Sequence, residues 1–339
     1  MSDQTIVVCE FEPFLTELLA VLRERFVNSK YNFFGLAAVG KTEVNGTSEA
    51  SARNALEKGE ILLSGAGPMT KVSPLMPNLK WAHSTWAGVD TLFHPEPAFP
   101  ITPTWTLTRA ASYMGDLMAE YVVGQIISWE RRFLKQYEAQ KMKQWGFVEF
   151  SSCQRPMQDL TITIIGSGDI GRRVSRACKH FGMTVYGIGR SNEPRVPCEA
   201  VDQYGTRSDL PTFLQDSDFV CSILPLTPET NGYFSNDVLK HCARKRTVFM
   251  NVGRGNVVKD AEILEAIEYG WLSGAILDVF EREPLPKSSP LWHHPKIVLT
   301  PHVSAIRSLK KTVDVFVENL DLYESGKPLK HLVDWDRQY

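Results

Sequence analysis

One hexapeptide constrains this chain more than any other feature. Gly166-Ser167-Gly168-Asp169-Ile170-Gly171 follows the apolar run Thr161-Ile162-Thr163-Ile164-Ile165 and precedes a segment with Ile170, Val174 and Cys178 on one helical face. Strand, glycine turn and helix therefore come in the order a dinucleotide-binding βαβ unit requires. Glycines permit a tight turn and close backbone approach, and the helix start offers free N–H groups and a partial positive charge to a pyrophosphate. A glycine-rich turn by itself is common and is ordinarily structural. A second strand, Thr184 to Ile188, supplies the context that favours Gly166, Ser167, Gly168, Asp169, Ile170 and Gly171 as cofactor-binding residues.

That second strand bears on which dinucleotide is bound. In NAD-binding folds an Asp or Glu about twenty residues past the first glycine accepts hydrogen bonds from ribose hydroxyls and repels a 2′-phosphate. Here the strand runs into Gly189-Arg190-Ser191-Asn192, with no carboxylate at its end. A guanidinium fork beside a hydroxyl suits a phosphate. Arg190 is otherwise an ordinary solvated loop cation. The missing acid tips the balance to NADP(H), with NAD(H) still open, and adds Gly189, Arg190 and Ser191 to the cofactor group.

Apolar strand-like runs alternate with helical segments over most of the chain, the pattern of a mainly parallel sheet. Thr5 to Cys9 reads as a strand, Phe14 to Arg25 as a helix, and Ile61 to Ser64 as a strand before a Gly65-Ala66-Gly67-Pro68 turn. Ala111 to about Lys143 contains no Pro, and Met114, Met118, Tyr121, Val122, Ile126 and Trp129 recur at helical spacing, so one long helix is expected. A second series opens at Leu160. Its strand candidates are Thr184 to Ile188, Phe219 to Ile223, Thr247 to Asn251, Ala275 to Leu277 and Ile297 to Leu299. The last amphipathic segment, Ser308 to Tyr323, has Val313, Val315, Phe316, Leu320 and Leu322 to bury. Packed back on the front unit, it makes that unit discontinuous in sequence.

A chain of 339 residues suits two domains rather than one core. Its net charge of -2 provides no broad field for nucleic acid or an anionic membrane. Cys9, Cys153, Cys178, Cys198, Cys221 and Cys242 are scattered, with no Cys-x-x-Cys pair or zinc-ligand spacing, so a reduced cytoplasmic protein without a metal is expected. Met1 to Glu10 lacks the pattern of a secretory signal, and no apolar run reaches the length of a membrane span.

Three segments downstream carry candidate chemistry: Asn251-Val252-Gly253-Arg254-Gly255, Leu277-Asp278 through Glu283-Pro284-Leu285-Pro286, and Thr300-Pro301-His302. Each begins at the end of an apolar strand, and open parallel sheets bind ligands beyond the carboxyl ends of their strands. Reduction of a 2-oxo acid needs a cation for the carboxylate, an acid for the developing alkoxide and a hydride source. Arg254 can take the carboxylate bidentately, and His302, kept protonated by Glu283, can donate the proton. Singly, each has a plain alternative: Arg254 a surface cation, Glu283 a helix-start carboxylate, His302 a packed histidine.

In combination these segments resemble the D-isomer-specific 2-hydroxyacid dehydrogenase family over nearly the whole chain. The glycine fingerprint, Pro225-Leu226-Thr227 with Thr230, Asn251 to Gly255, Asp278 to Pro286 and Pro301-His302 carry the resemblance. It implies that Arg254 binds the substrate carboxylate, His302 is the acid/base, and Glu283 orients it. It also implies that Leu224, Pro225, Thr230, Val252 and Asp278 contact the cofactor, Asp278 at the nicotinamide carboxamide. Ser84-Thr85-Trp86-Ala87-Gly88-Val89-Asp90 is similar to the family's substrate loop, where amides near Ala87 and Gly88 hold the carboxylate. Trp86 either shapes that pocket or fills the core, and the Gly65 to Met69 turn forms another wall.

With the periodicity above, the resemblance implies an α/β protein of two parts. A Rossmann-type doubly wound parallel sheet spans 108–303, and a smaller flavodoxin-like α/β substrate domain is built from 1–107 and 304–339, with the active-site cleft between them. Within the family the nearest likeness is to NADPH-dependent glyoxylate/hydroxypyruvate reductases, whose second strand also often ends in Arg-Ser. The family pattern further implies a homodimer through the Ala111 to Trp145 helix and arm, with Trp145 approaching the partner's active site. Lys259 stands where the family usually has an Asp, and Asp260 is expected to cap the helix instead. The lack of a further domain after Tyr323 disfavours long-form phosphoglycerate dehydrogenases, and Glu283 disfavours formate dehydrogenase, which pairs its histidine with Gln. Two competitors remain: a dinucleotide-sensing corepressor-like protein without turnover, and an amino-acid or imine reductase on a similar fold.

Overall fold

The computed structural model describes residues 4–27, 29–39, 43–44, 49–94, 99, 102–151, 154–194 and 196–339. Cys153 lies outside them. The chain divides into two compact units, Met1–Ala111 with Arg307–Tyr339, and Ser112–Ile306.

The first unit begins with β1 (Gln4–Phe11), α1 (Phe14–Arg25), β2 (Tyr31–Val39), β3 (Glu43–Val44), α2 (Ala50–Lys58), β4 (Ile61–Ser64), α3 (Ala66–Val72), β5 (Trp81–Ser84) and β6 (Thr106–Arg109). Its strands form one sheet in the order β3-β2-β1-β4-β5-β6, parallel except for the short β3. Alternation along β1 decides the layers: Ile6 and Val8 face α1 through Leu15, Leu18 and Leu22, whereas Val7 and Cys9 face Ala52, Leu56 and Met69. A strand covered on both faces reads as a continuous apolar run, as this one does. The Gly65 to Met69 turn departs from expectation, because all but Gly65 of it is the first part of α3.

The second unit opens with α4 (Tyr113–Glu130), α5 (Phe133–Lys141) and α6 (Phe147–Ser151). The single helix expected over this stretch is interrupted at Arg132, whose backbone is left-handed at φ 58°. The Arg131 carbonyl is taken by the Gln136 side chain and the Arg132 guanidinium lies over the Trp129 ring, so side chains stabilise a break that no Gly or Pro announces. There follow β7 (Thr161–Ile165), α7 (Asp169–His180), β8 (Thr184–Ile188), β9 (Gln203–Gly205), α8 (Leu210–Asp216), β10 (Phe219–Ser222), β11 (Thr247–Asn251), α9 (Asp260–Glu268), β12 (Leu272–Leu277) and β13 (Ile297–Leu299). All seven strands are parallel, in the order β13-β12-β11-β10-β7-β8-β9. The order reverses beside β7, and this doubly wound switch point is where such sheets bind ligands. Ile162 and Ile164 pack on α4 and α7, while Ile165 belongs to the core of the opposite face.

The chain returns to the first unit as α10 (Leu309–Glu324), which lays Val313, Phe316 and Leu320 against α1 and Trp81. The Phe316 ring stacks on Trp81 at 5.3 Å. Among the described residues no helix is long and apolar enough to cross a membrane.

Candidate active site

The site of the second unit is assembled from the loops that leave the carboxyl ends of its strands. After β7, Gly166 takes φ 110°, a backbone that side chains rarely tolerate. A Cβ on Gly171 would stand 2.0 Å from the Gly166 carbonyl oxygen, so only glycine lets α7 start this close to the turn. Gly168 precedes α7 in extended conformation, with no side chain capping the helix and nothing within 4 Å of where its Cβ would be. The first amides of α7 are thus without a side-chain cap beside open space, which fits a pyrophosphate. Asp169 and Ile170 are the first two helical residues, and Asp169 lies 3.6 Å from both Arg172 and Arg173.

The neighbouring loops touch in sequence. The Cβ position of Gly189 is 2.5 Å from Ser167 Oγ, that of Gly253 is 2.4 Å from the Leu224 carbonyl, and that of Gly255 is 1.9 Å from the Phe280 carbonyl. Arg190 is half-exposed and lies 3.7 Å from Glu229 Oε2. The Ser191 hydroxyl is engaged with Glu193 within its own turn. Thr230 donates to the Pro225 carbonyl at 2.6 Å and accepts from the Thr227 amide at 2.9 Å, which closes the loop after β10. Val252 is buried and its amide donates to the Ser222 carbonyl.

Arg254 is half-buried, and its Nη1 donates to the Gly253 carbonyl at 2.8 Å. Asn251 brackets it, accepting from the Gly253 amide and donating to the Arg254 carbonyl. That supporting role was not legible beforehand, although an Asn closing an otherwise apolar strand is its visible sign. His302 Nδ1 lies 2.7 Å from Glu283 Oε2, and Glu283 Oε1 accepts from the Phe280 amide at 3.0 Å. Burial pushes the Glu283 carboxyl up. The hydrogen bond and charge of His302, the Phe280 amide and the Arg254 cation outweigh it and hold the carboxyl below the ordinary glutamate value. An ionised Glu283 can only accept, so the Nδ1 proton sits between the two groups and Nε2 is left to serve a ligand.

His302 has a left-handed backbone at φ 57° and a side chain 47% exposed. Asp278, fully buried, holds its loop: the carboxylate accepts from Thr300 Oγ1 at 2.5 Å and from the Val303 and Ser304 amides at 2.9 Å. The Asp278 carbonyl accepts from the His302 amide. Asp260 does not cap α9 as expected. Its own amide donates to Glu281, while Glu262 in the first turn reaches back to the Lys259 amide. No cluster of His, Cys, Asp and Glu suited to a metal occurs among the described residues.

In the first unit, Trp86, Ala87 and Gly88 follow β5 and are half-buried. Ser84 Oγ bonds both the amide and the carbonyl of Trp86, and Arg109 Nη1 donates to the Ala87 carbonyl at 2.7 Å. The Trp86 ring stacks on Phe11 at the margin of the core, so it is in part the packing residue its alternative reading described.

Residues 123–304 match the family model "D-isomer specific 2-hydroxyacid dehydrogenase, NAD binding domain". The chain is 33% identical to glyoxylate/hydroxypyruvate reductase A of Escherichia fergusonii over 77% of its own length and 82% of that protein. Among solved structures, a D-isomer specific 2-hydroxyacid dehydrogenase from Xanthobacter autotrophicus Py2 in complex with NADPH and MES has a TM-score of 0.83 at 29% identity, covering 100% of each chain. An NADPH-dependent glyoxylate/hydroxypyruvate reductase from Sinorhizobium meliloti in complex with NADP and sulfate has a TM-score of 0.81 at 29% identity, covering 99% of this chain and 100% of that one.

Proposed function

The chain belongs to the D-isomer specific 2-hydroxyacid dehydrogenase family, and from that we propose that it reduces a small 2-oxo acid of the glyoxylate or hydroxypyruvate kind to the D-2-hydroxy acid, using NADPH. It is an NAD(P)-dependent oxidoreductase of a class whose relatives include such reductases. The observation that carries the finer reading is the His302–Glu283 pair at 2.7 Å with the charge of a half-buried Arg254 acting on it.

The nicotinamide, when bound, supplies the hydride. The residues that would hold the dinucleotide are the Gly166–Gly171 turn and the uncapped start of α7 for the pyrophosphate, with Leu224, Pro225, Thr230, Val252 and Asp278 along its remaining length. Arg190 and Ser191 take the 2′-phosphate, supported by the absence of a carboxylate at the end of β8. Arg254 binds the substrate carboxylate and draws electron density from the carbonyl. His302 gives a proton from Nε2 to the carbonyl oxygen as the alkoxide develops, and Glu283 keeps the imidazole oriented through Nδ1. In the first unit Trp86 and the amides of Ala87 and Gly88 are assigned to the substrate, supported by the half-exposed loop that Ser84 and Arg109 brace.

The same reading includes a homodimer in the cytoplasm. Phe133, Leu134, Tyr137, Met142, Trp145 and Phe147 are exposed along α5 and the arm after it, a density of apolar surface that supports self-association. Light scattering tests it. The function is tested by the loss of nicotinamide absorbance with NADPH or NADH and a panel of glyoxylate, hydroxypyruvate, pyruvate and phenylpyruvate. NADPH-dependent turnover, fastest on the smaller acids, is expected. Tight NADPH binding without turnover on any of them would overturn the proposal in favour of a dinucleotide sensor.

A further inference from the structure

The loop that carries His302 is held by more than its own backbone. A non-glycine residue at φ 57° costs about 1 kcal/mol or more and persists only where its surroundings over-determine it. Asp278 supplies part of that constraint through the Val303 and Ser304 amides. The rest arrives from α4: the Tyr121 hydroxyl lies 2.6 Å from Thr300 Oγ1, which donates to Asp278 Oδ1 at 2.5 Å.

The direction of this chain follows from proton counting. Asp278 accepts from two amides and from Thr300, so the single Thr300 hydroxyl proton points at the carboxylate, and the Tyr121 phenol must be the donor to Thr300. Burial pushes the phenol up to about 12, so the donor remains protonated throughout the neutral range. Thr300 is two residues from His302 in sequence, and its carbonyl also accepts from the His302 amide at 3.1 Å.

We propose that Tyr121 and Thr300 are positioning residues for His302, a hydroxyl relay that ties helix α4 through Asp278 to the loop presenting the imidazole. The assignment rests on His302 acting as the acid, as proposed above. Without the Thr300 hydroxyl, Asp278 loses one of three side-chain hydrogen bonds and the Tyr121 phenol loses its acceptor. The loop then samples backbone states in which the imidazole is misplaced, and misplacement by an ångström is enough to cost a large factor in rate.

The test is Thr300→Val, Thr300→Ser and Tyr121→Phe in the full chain, with steady-state kinetics and amide hydrogen exchange. Thr300→Val should lower kcat about tenfold while KM for NADPH moves less than about twofold, with Thr300→Ser near wild type and Tyr121→Phe reduced about threefold. Exchange at His302, Val303 and Ser304 should accelerate in Thr300→Val and Tyr121→Phe while β7 and β10 stay protected. Unchanged kcat, equal losses in Thr300→Val and Thr300→Ser, or acceleration spread over the whole unit would each overturn the relay. Should Thr300→Val fail to fold, Tyr121→Phe, which removes one partly buried hydroxyl and no hydrocarbon, decides alone. If the wild-type protein turned over no 2-oxo acid, the functional reading would fall, and the exchange measurement would still report on the relay.

Discussion

The two sheets end in opposite ways. In the first unit the polar groups at the carboxyl ends are consumed internally: Glu10 is fully buried and accepts from Thr85 Oγ1 at 2.5 Å and from Arg307 Nη1 at 2.7 Å, and Ser64 and Ser84 are also buried. In the second unit Arg254, Glu283 and His302 keep part of their surface open. The histidines repeat the contrast. His83 is wholly buried beside Trp81 and Phe316, its Nδ1 2.7 Å from Thr108 Oγ1 and its Nε2 without a hydrogen-bond partner. His302 is half exposed and paired with a carboxylate. One βαβ architecture thus either closes a strand end by pairing its charged side chains in the interior, as at Glu10, or leaves the end partly open, as at Arg254, Glu283 and His302.

The largest effect should come from the open end. His302→Ala is expected to reduce turnover by about a thousandfold while NADPH affinity, followed by cofactor fluorescence, stays within a factor of about two. Loss of NADPH binding in that variant would contradict the assignment of His302 to proton transfer. At the closed end the effect should fall on stability instead. Glu10→Gln breaks a buried ion pair and should cost about 3 kcal/mol in urea unfolding, with NADPH affinity retained. A stability change below about 1 kcal/mol would show that Glu10 is not the anchor its contacts suggest.

A smaller change is expected at Arg190. Arg190→Asp should move the preference from NADPH towards NADH by about tenfold or more, read from the ratio of kcat/KM values, and an unchanged ratio would remove the phosphate-binding role. The smallest concerns pH. Burial, aided by the charge of His331, lowers the His83 pKa from 6.5 to about 3. The native state therefore binds its proton only near pH 3 and the unfolded chain near pH 6.5, so stability from this group is complete above that range and is lost as pH falls through it. At pH 5.5 the loss should be about 1.3 kcal/mol relative to pH 7. His83→Gln should flatten the fall in urea midpoint between pH 7 and 5, and a slope identical to wild type would assign it to other groups.

Much of this is readable in the sequence, for identifiable reasons. α1, β4, β8, β11 and β13 fall where periodicity and apolar runs put them, because their cores are apolar on one or both faces. β5 and β6 were not legible: the polar His83, Ser84 and Thr108 break any apolar run, and what allows their burial, Trp81 Nε1 and His83 Nδ1 meeting Thr108 Oγ1 across the ladder, has no local sign. β2 was missed because Gly35 interrupts a run with no clear alternation. At the site, strand-end position pointed to Arg254, Asp278 and His302, since the rule depends only on element order. The partners that complete them are distant in sequence, Tyr121 and Thr300 by 179 residues, and such pairings have no local signature.

The position of β13 has a consequence for how the enzyme should fail. Among the described residues this three-residue strand is the edge of its sheet, pairs with β12 and is incompletely buried, whereas β7, which leads into the glycine turn, is central. Edge elements with few buried contacts open at lower free energy than central ones. On gradual heating the His302 segment should come loose before the dinucleotide cradle does, so the protein would pass through a state that still grips its coenzyme and no longer turns over.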